Sequence, residues 1–164
     1  MNNLIKMKNL LRVSYLIALL NLTVTLAPVK AEYKNQKLPT IYSSNSETLS
    51  NKRSVYHKIL LEITDDYAIS EIIIKIPYGL KANNNIRVRN SNGENIKITT
   101  SIKGQELKIG FLEKYQKNDI LKINLDNLLV KGIPNGWTYK ISVIVPEMNK
   151  EIPIGTAFVR VLLR

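Results

Sequence analysis

The chain has 164 residues, a formal net charge of +11 and no cysteine. This length fits one domain of ordinary size. The absence of cysteine excludes disulfide bridges and an anchor made through a lipid-modified cysteine, so the fold must be held by its hydrophobic core.

The first 31 residues have the composition of a secretory signal peptide. Lys6, Lys8 and Arg12 form a basic start, the mostly apolar run VSYLIALLNLTVTLA follows, and VKA ends the segment at Ala31. A basic start, an apolar run and a small-x-small end describe an export signal. We therefore predict a signal peptide over residues 1–31 and an exported protein, periplasmic or extracellular. The alternative is an uncleaved membrane anchor, although the apolar run is shorter than the roughly 20 residues that a spanning helix needs.

Residues 32–54 are polar, rich in Asn, Ser and Lys, and without apolar periodicity. We predict a flexible polar leader there, with room for one short strand near Ile41. Residues 55–164 are predicted to form a single β domain.

From Val55 onward, apolar residues fall on every second position. The segments with this alternation are VYHKILLEIT, SEIIIKIP, NIRVRN, NIKITTSI, ELKIGFL, DILKINLDN, WTYKISVIV and GTAFVRVLL. A period of two indicates strands, and short strands with frequent turns indicate an antiparallel sandwich or barrel. We predict an all-β fold, an antiparallel two-sheet β-sandwich of Ig-like type, with almost no helix.

Two turns indicate their own register. A loop at residues 91–93 pairs Val88 with Ile96, and a loop at residues 104–105 has glycine first, as a type II′ turn requires. Residues 85–112 are therefore predicted to form a three-stranded meander with one apolar face.

The segment that begins at the single tryptophan has two interpretations. The residues on one parity of this strand are Trp137, Tyr139, Ile141, Val143 and Val145. The aliphatic continuation favours a wall of the core, because a ligand platform does not require it. The alternative is an exposed aromatic platform for a sugar or another small ligand, formed by Trp137 and Tyr139 with Tyr115.

The chain offers few groups for catalysis. His57, the single histidine, lies on the apolar parity of its strand, which indicates a core position rather than a general base. Asp65 and Asp66 fit a turn better than a calcium site, which needs about six to eight oxygen ligands. No nucleophile-elbow, metalloprotease, phosphate-loop or EF-hand motif is present. We predict no enzyme activity, no catalytic residue, no cofactor and no bound metal.

The positive charge suggests a polyanionic partner. The predicted export and the spread of lysines, about one per strand, argue against nucleic acid, and we predict no nucleic-acid partner. Long-range attraction to anionic envelope surfaces or acidic polysaccharide fits the charge. A solvated lysine face without a partner fits it as well.

Two long segments and the export signal resemble a known family. VYHKILLEITDDYAISEIIIKIP is similar to that family's opening, an aromatic-led strand, a short turn and a second strand. WTYKISVIVPEMNKEIPIGTAFVRVL is similar to its closing pair, in which a strand ending in Val-Pro precedes a loop and a Gly-x-Ala-Phe strand. On these segments the chain resembles the secreted cyanobacterial proteins that bear the domain of unknown function number 2808. The resemblance implies an exported β domain and carries over no functional residue.

These patterns favour a non-catalytic exported module with a structural or protein-interaction role in the cell envelope. The alternative function is a carbohydrate- or small-ligand-binding domain that uses Trp137 and Tyr139. An envelope protein or a polysaccharide is the expected partner, and contact with the membrane is expected only through an uncleaved signal segment. The oligomeric state is left open.

Overall fold

The computed structural model describes residues 36–48, 54–131 and 136–160. The predicted signal peptide, residues 1–31, lies outside these ranges. In chain order the strands are β1 (Thr40–Thr48), β2 (Ser54–Ile63), β3 (Ile69–Lys75), β4 (Leu80–Lys81), β5 (Ile86–Arg89), β6 (Ile98–Lys103), β7 (Glu106–Tyr115), β8 (Asp119–Val130), β9 (Gly136–Val145) and β10 (Lys150–Arg160). A three-residue 3-10 helix, Pro146–Met148, joins β9 to β10. Across the described ranges, no helix has the length and apolar character needed to cross a membrane.

The strands form two antiparallel sheets. The first sheet has the order β1-β2-β8-β4, with β5 also paired to β8, and the second has the order β10-β9-β3-β7-β6. The long central pair of the first sheet is β2 with β8, and β3 lies between β7 and β9 in the second. The prediction of an all-β, antiparallel two-sheet sandwich is therefore confirmed.

One hydrophobic core lies between the two sheets. Inward side chains of both sheets form a single buried cluster. Its fully enclosed members include Ile59, Leu61, Ile72, Ile74, Leu107, Ile109, Leu121, Ile123, Tyr139 and Val143. These residues occupy alternate positions of their strands, as the two-residue period of a strand requires. Burial of each such side chain contributes roughly 1.5–3 kcal/mol, which is the source of stability in a chain without crosslinks.

The hairpin between β6 and β7 has the predicted turn. Lys103 pairs with Glu106 and Ile102 pairs with Leu107, so the loop contains two residues. Gly104, the first of them, has φ of 61°. A type II′ turn needs this left-handed conformation at its first position, where glycine adopts it without a steric penalty.

The predicted meander of residues 85–112 is wrong in one respect. Its first loop has the expected register, because the Ile96 backbone N–H donates to the Val88 carbonyl oxygen at 2.9 Å. However, β5 pairs with β8 in the first sheet, whereas β6 pairs with β7 in the second. The connection therefore turns a corner between the sheets. Pairing with β8 places the inward side chains of β5 beside the buried Leu125 and Ile123, a gain that local sequence does not reveal.

Strand β1 occupies part of the segment for which we predicted a flexible leader. It has nine residues and pairs with β2 along its length, which is more order than one short strand near Ile41. Ile41 packs against the core. Other anchors are polar, such as the Lys37 backbone N–H, which donates to Asp66 Oδ2 at 2.8 Å. Backbone pairing and polar contacts do not require alternating apolar side chains. The segment can therefore form a strand although its sequence has no apolar periodicity.

The edge strands β1 and β10 meet along one side of the molecule. The Ser44 hydroxyl donates to the Phe158 carbonyl oxygen at 2.8 Å. At Gly155, where φ is 139°, a Cβ would lie 3.2 Å from Ile41 Cδ1. A residue without a side chain therefore permits this close approach. At the opposite edges lie β6 in the second sheet and the short strands β4 and β5 in the first.

Candidate interaction surface

The two aromatic residues predicted as a platform or a core wall lie in the core. Trp137 is 4% exposed and Tyr139 is fully buried. The Tyr139 hydroxyl oxygen is 2.6 Å from His57 Nδ1, and the rings of His57 and Trp137 have centroids 4.8 Å apart. The core interpretation is therefore confirmed. The alternative of an exposed platform is wrong for these two residues, because a stacking surface needs an accessible ring face and both rings are buried.

Burial controls the protonation of this cluster. It lowers the pKa of His57 from 6.5 to about 4 and raises that of Tyr139 above its usual value. His57 Nε2 and Trp137 Nε1 have no hydrogen-bond partner among the described residues. His57 is thus neutral at ordinary pH and is a packed core residue, as its parity indicated.

Tyr115 has a structural role at the end of β7. It is 7% exposed and stacks on Phe111, with ring centroids 5.6 Å apart. Its hydroxyl donates to Asp119 Oδ2 at 2.7 Å. Burial and this contact raise the pKa of Tyr115. Burial alone would raise the pKa of Asp119, but hydrogen bonds from Ser91 and Tyr115 lower it. Tyr115 therefore braces a loop and offers little ring surface to a ligand.

The outer face of the first sheet gathers positive charge. Two neighbouring rows run from β2 through β8 to β5, namely Lys58–Asn124–Arg87 and Leu60–Lys122–Arg89. Ile59 and Ile123, which lie between these rows along their strands, are buried in the core. The rows therefore point to the opposite side of the sheet. We call the side chains of Lys58, Arg87, Arg89 and Lys122 the basic face.

Strand pairing brings these cations close together. Neighbouring strands are about 4.8 Å apart and two residues along a strand span about 6.6 Å, so the four positions occupy an area of roughly 10 by 7 Å. Arg89 and Lys122 are directly opposite each other, which costs stability when the charges are alike. Arg89 Nε donates to Asn95 Oδ1 at 3.0 Å and Lys122 Nζ to the Ser91 carbonyl oxygen at 3.4 Å. Both acceptors are uncharged, so these partners do not neutralise the pair.

Acidic residues lie at the margins of this face. Asp126 is bound by Arg87, Glu62 is exposed in the row beyond Leu60, and Glu47 occupies the register position beside Tyr56. The second sheet differs, because its Lys108 lies 3.6 and 3.8 Å from two glutamate carboxylates. Among the described residues, Arg89 and Lys122 of the first sheet thus contact uncharged acceptors only, whereas Lys108 of the second sheet lies beside two carboxylates.

Tyr56 and Asn124 lie among the cations of the basic face. The Tyr56 hydroxyl donates to Asn124 Oδ1 at 2.5 Å, and Lys58 Nζ lies 6.0 Å from the Tyr56 ring centroid. Asn124 is 6% exposed although it lies on an outer face, between Lys58 and Arg87. Tyr56 and Asn124 therefore form an ordered polar layer beneath the cations of this face.

A pocket of about 280 Å³ adjoins the basic face at Arg87. Its lining residues are Asn84, Asn85, Ile86, Arg87, Asp126 and Asn127. We call it the asparagine pocket. It forms at a bulge in β8, where the register with β2 shifts and Asn127 adopts a left-handed φ of 54°. Bulges of this kind redirect side chains at the edges of sheets and beside functional sites.

The β4–β5 loop is fixed against this bulge. Asn83 Nδ2 donates to the Asn127 carbonyl oxygen at 3.0 Å, and Asn83 Oδ1 accepts from the Asn85 backbone N–H at 3.0 Å. The Asp126 backbone N–H donates to the Asn85 carbonyl oxygen, also at 3.0 Å. Asn83 is thus committed to structure, which leaves the exposed side chains of Asn84, Asn85 and Asn127 to line the opening.

The sequence contained the residues of this surface but not their juxtaposition. NIRVRN and DILKINLDN place Arg87, Arg89 and Lys122 at outward positions of two strands. Their proximity follows from the pairing of β5 with β8, which we did not predict. The Asn83–Asn85 run was a detectable signal, because three consecutive asparagines favour a loop rich in donors and acceptors.

Comparison with known proteins identifies the fold. No family model and no curated protein matches the chain. The structure is similar to the N-terminal domain of the Streptococcus gordonii adhesin Sgo0707, with a TM-score of 0.52, 12% identity, and coverage of 79% of this chain and 34% of that chain. The chain thus spans about a third of the length of that protein domain.

Two further similarities have lower scores. A collagen-binding domain from a Staphylococcus aureus adhesin has a TM-score of 0.45 at 14% identity and covers 73% of this chain and 97% of that one. A non-cellulosomal cohesin from the archaeon Archaeoglobus fulgidus has a TM-score of 0.48 at 13% identity and covers 77% and 93%. At these identities the comparison concerns the fold alone.

Proposed function

We propose that this chain is an exported, non-catalytic β-sandwich module of the cell envelope, and that its basic face binds an anionic envelope polymer. The observation that carries the proposal is the pairing of β2, β8 and β5, which places four cations on two adjacent rows, with only Arg87 paired to a carboxylate among the described residues. Opposed like charges such as Arg89 and Lys122 are unfavourable in the free protein and become favourable when an anion lies between them.

Other features support this proposal. The first 31 residues have the composition of an export signal, and the sandwich is similar to a domain of a bacterial surface adhesin. We also propose kinship with the cyanobacterial family that bears domain 2808, on the two segments that resemble it. The mass of the protein's N-terminus, recovered from envelope or medium, tests export and cleavage after Ala31.

Replacement of two cations tests the binding surface. Arg89→Gln with Lys122→Gln removes two charges and keeps long polar side chains. We expect the affinity for both polygalacturonate and polyphosphate to fall about tenfold, which corresponds to roughly 0.7 kcal/mol for each lost charge. Calorimetric titration of the mature protein at low salt measures the change.

A matched control lies on the other sheet. Lys75 and Lys140 are also directly opposed and exposed, but Glu106 flanks Lys75 on its other side. Lys75→Gln with Lys140→Gln removes the same net charge and leaves the basic face intact. Equal losses of affinity in the two double variants would show a general charge effect and refute a defined binding face.

A further inference from the structure

The asparagine pocket has a buried acceptor without a partner. Asp126 Oδ2 accepts from both Arg87 Nε at 2.8 Å and Arg87 Nη2 at 2.6 Å. Asp126 Oδ1 is enclosed and accepts no hydrogen bond from the described residues. A buried carboxylate oxygen without a donor is unfavourable, so Asp126, one of the residues that line the pocket, holds an unused acceptor.

The charges at the pocket select against ions. A cation would approach the Arg87 guanidinium, and the described residues contain no group of three or more His, Asp or Glu that would hold a metal. A free anion would approach the Asp126 carboxylate, which already neutralises Arg87. The remaining lining supplies amide donors and acceptors at Asn84, Asn85 and Asn127. Neutral groups that both donate and accept, such as hydroxyls, suit this lining.

The size of the pocket indicates a subsite rather than a complete binding site. Its volume of about 280 Å³ lies just below the roughly 300–1,000 Å³ of sites for whole small ligands. Arg87 belongs both to the pocket and to the basic face, so the two surfaces are continuous. A polymer that extends over both must offer negative charge to one and neutral hydroxyls to the other.

We propose that the asparagine pocket binds sugar hydroxyls of an acidic polysaccharide whose charged groups contact the basic face. This inference rests on the proposed function and narrows the partner from any anionic polymer to a glycan. Polyphosphate carries charge without hydroxyls, and a neutral galactan carries hydroxyls without charge. A uronic-acid glycan offers a carboxylate and neutral hydroxyls in every repeat, which favours it as the occupant of both surfaces.

Asn84→Ala is the variant that tests the pocket. Asn84 is exposed, and the Asn84 hydrogen bond in the structure uses its backbone carbonyl oxygen, which accepts from Ile86, so the fold should persist. Asn92→Ala is the matched control, because Asn92 is an exposed loop asparagine beyond the other end of β5. The mature protein is titrated with a panel of acidic oligosaccharides (oligogalacturonate, oligoalginate and hyaluronan fragments), a neutral galactan oligomer and polyphosphate.

We expect Asn84→Ala to lower the affinity for the tightest-binding acidic oligosaccharide about threefold to tenfold, which corresponds to one lost hydrogen bond. The affinity for polyphosphate should not change. Asn92→Ala should change neither. The inference is overturned if Asn84→Ala affects neither ligand, if it affects both equally, or if no acidic oligosaccharide binds better than polyphosphate.

The outcomes separate the two proposals. If the Arg89→Gln, Lys122→Gln variant weakens polyphosphate while Asn84→Ala has no selective effect, the proposed function stands and the glycan inference fails. If only the sugars bind, in an Asn84-dependent manner that the double variant does not alter, the pocket is a sugar site and the anionic-face function fails. Absence of binding by every probe overturns both.

Discussion

His57 links the stability of the core to pH. Its ring is fully enclosed, it contacts the Tyr139 hydroxyl, and its pKa in the folded protein is about 4 rather than 6.5. Between these values the unfolded chain binds a proton that the folded chain does not. The contribution of His57 to stability is therefore complete above pH 6.5 and is lost as the pH falls toward 4.

We expect the free energy of unfolding to decrease by about 3 kcal/mol over that interval, at 1.36 kcal/mol for each pH unit of the shift. Urea unfolding, followed by fluorescence of the single tryptophan, measures it. His57→Gln keeps a polar side chain that cannot titrate. Over the same pH interval, the free energy of unfolding of this variant should therefore fall less than that of the original protein, and the difference should equal the His57 contribution. Identical pH dependence in the two proteins would refute the assignment.

At the residue scale the sequence predicted the core well. Trp137, Tyr139 and His57 were assigned inward positions by parity alone, and all three are buried. Parity succeeds because one face of each strand packs against the opposite sheet and the other face contacts water. The unmet polar atoms of His57 and Trp137 were not predictable, since they depend on which rings meet across the core.

At the element scale, local turns were predicted and distant partners were not. The loops at residues 91–93 and 104–105 have the expected registers, because glycine position and alternation specify a hairpin locally. The partner of β5 was assigned wrongly, because β6 and β8 both offer an apolar face. The basic face depends on that choice, which explains why sequence alone did not reveal it.

Strand β1 gives a prediction at this scale. A chain that begins at residue 49 lacks β1 and exposes the edge of β2, whose backbone groups then have no partner strand. We expect it to unfold with at least about 2 kcal/mol less free energy than a chain that begins at residue 36, from lost backbone hydrogen bonds and the packing of Ile41. Chemical unfolding measures the difference.

An exposed edge of β2 is also expected to promote association, because unpaired strand edges bind other strands. Size-exclusion chromatography of the two chains tests this directly. Equal stability and equal elution would mean that β1 contributes nothing to the sheet and that residues 36–48 are a dispensable leader.

At the scale of the whole molecule, charge is distributed unequally between two similar sheets. Both have a pair of opposed cations, but Glu106 flanks Lys75 in the second sheet, whereas Arg89 and Lys122 in the first contact uncharged acceptors among the described residues. Net charge therefore indicated a polyanionic partner without locating it. The fold supplies the location, because it converts charges on separate strands into one surface.

NMR mapping of a bound acidic oligosaccharide tests the central claim most directly. When oligogalacturonate is titrated into labelled mature protein, we expect the largest shifts at Lys58, Arg87, Arg89 and Lys122, continuing into Asn84 and Asn127. Little change is expected at Lys75 and Lys140 on the second sheet. Shifts centred on the second sheet, or spread evenly over all exposed lysines, would contradict the account.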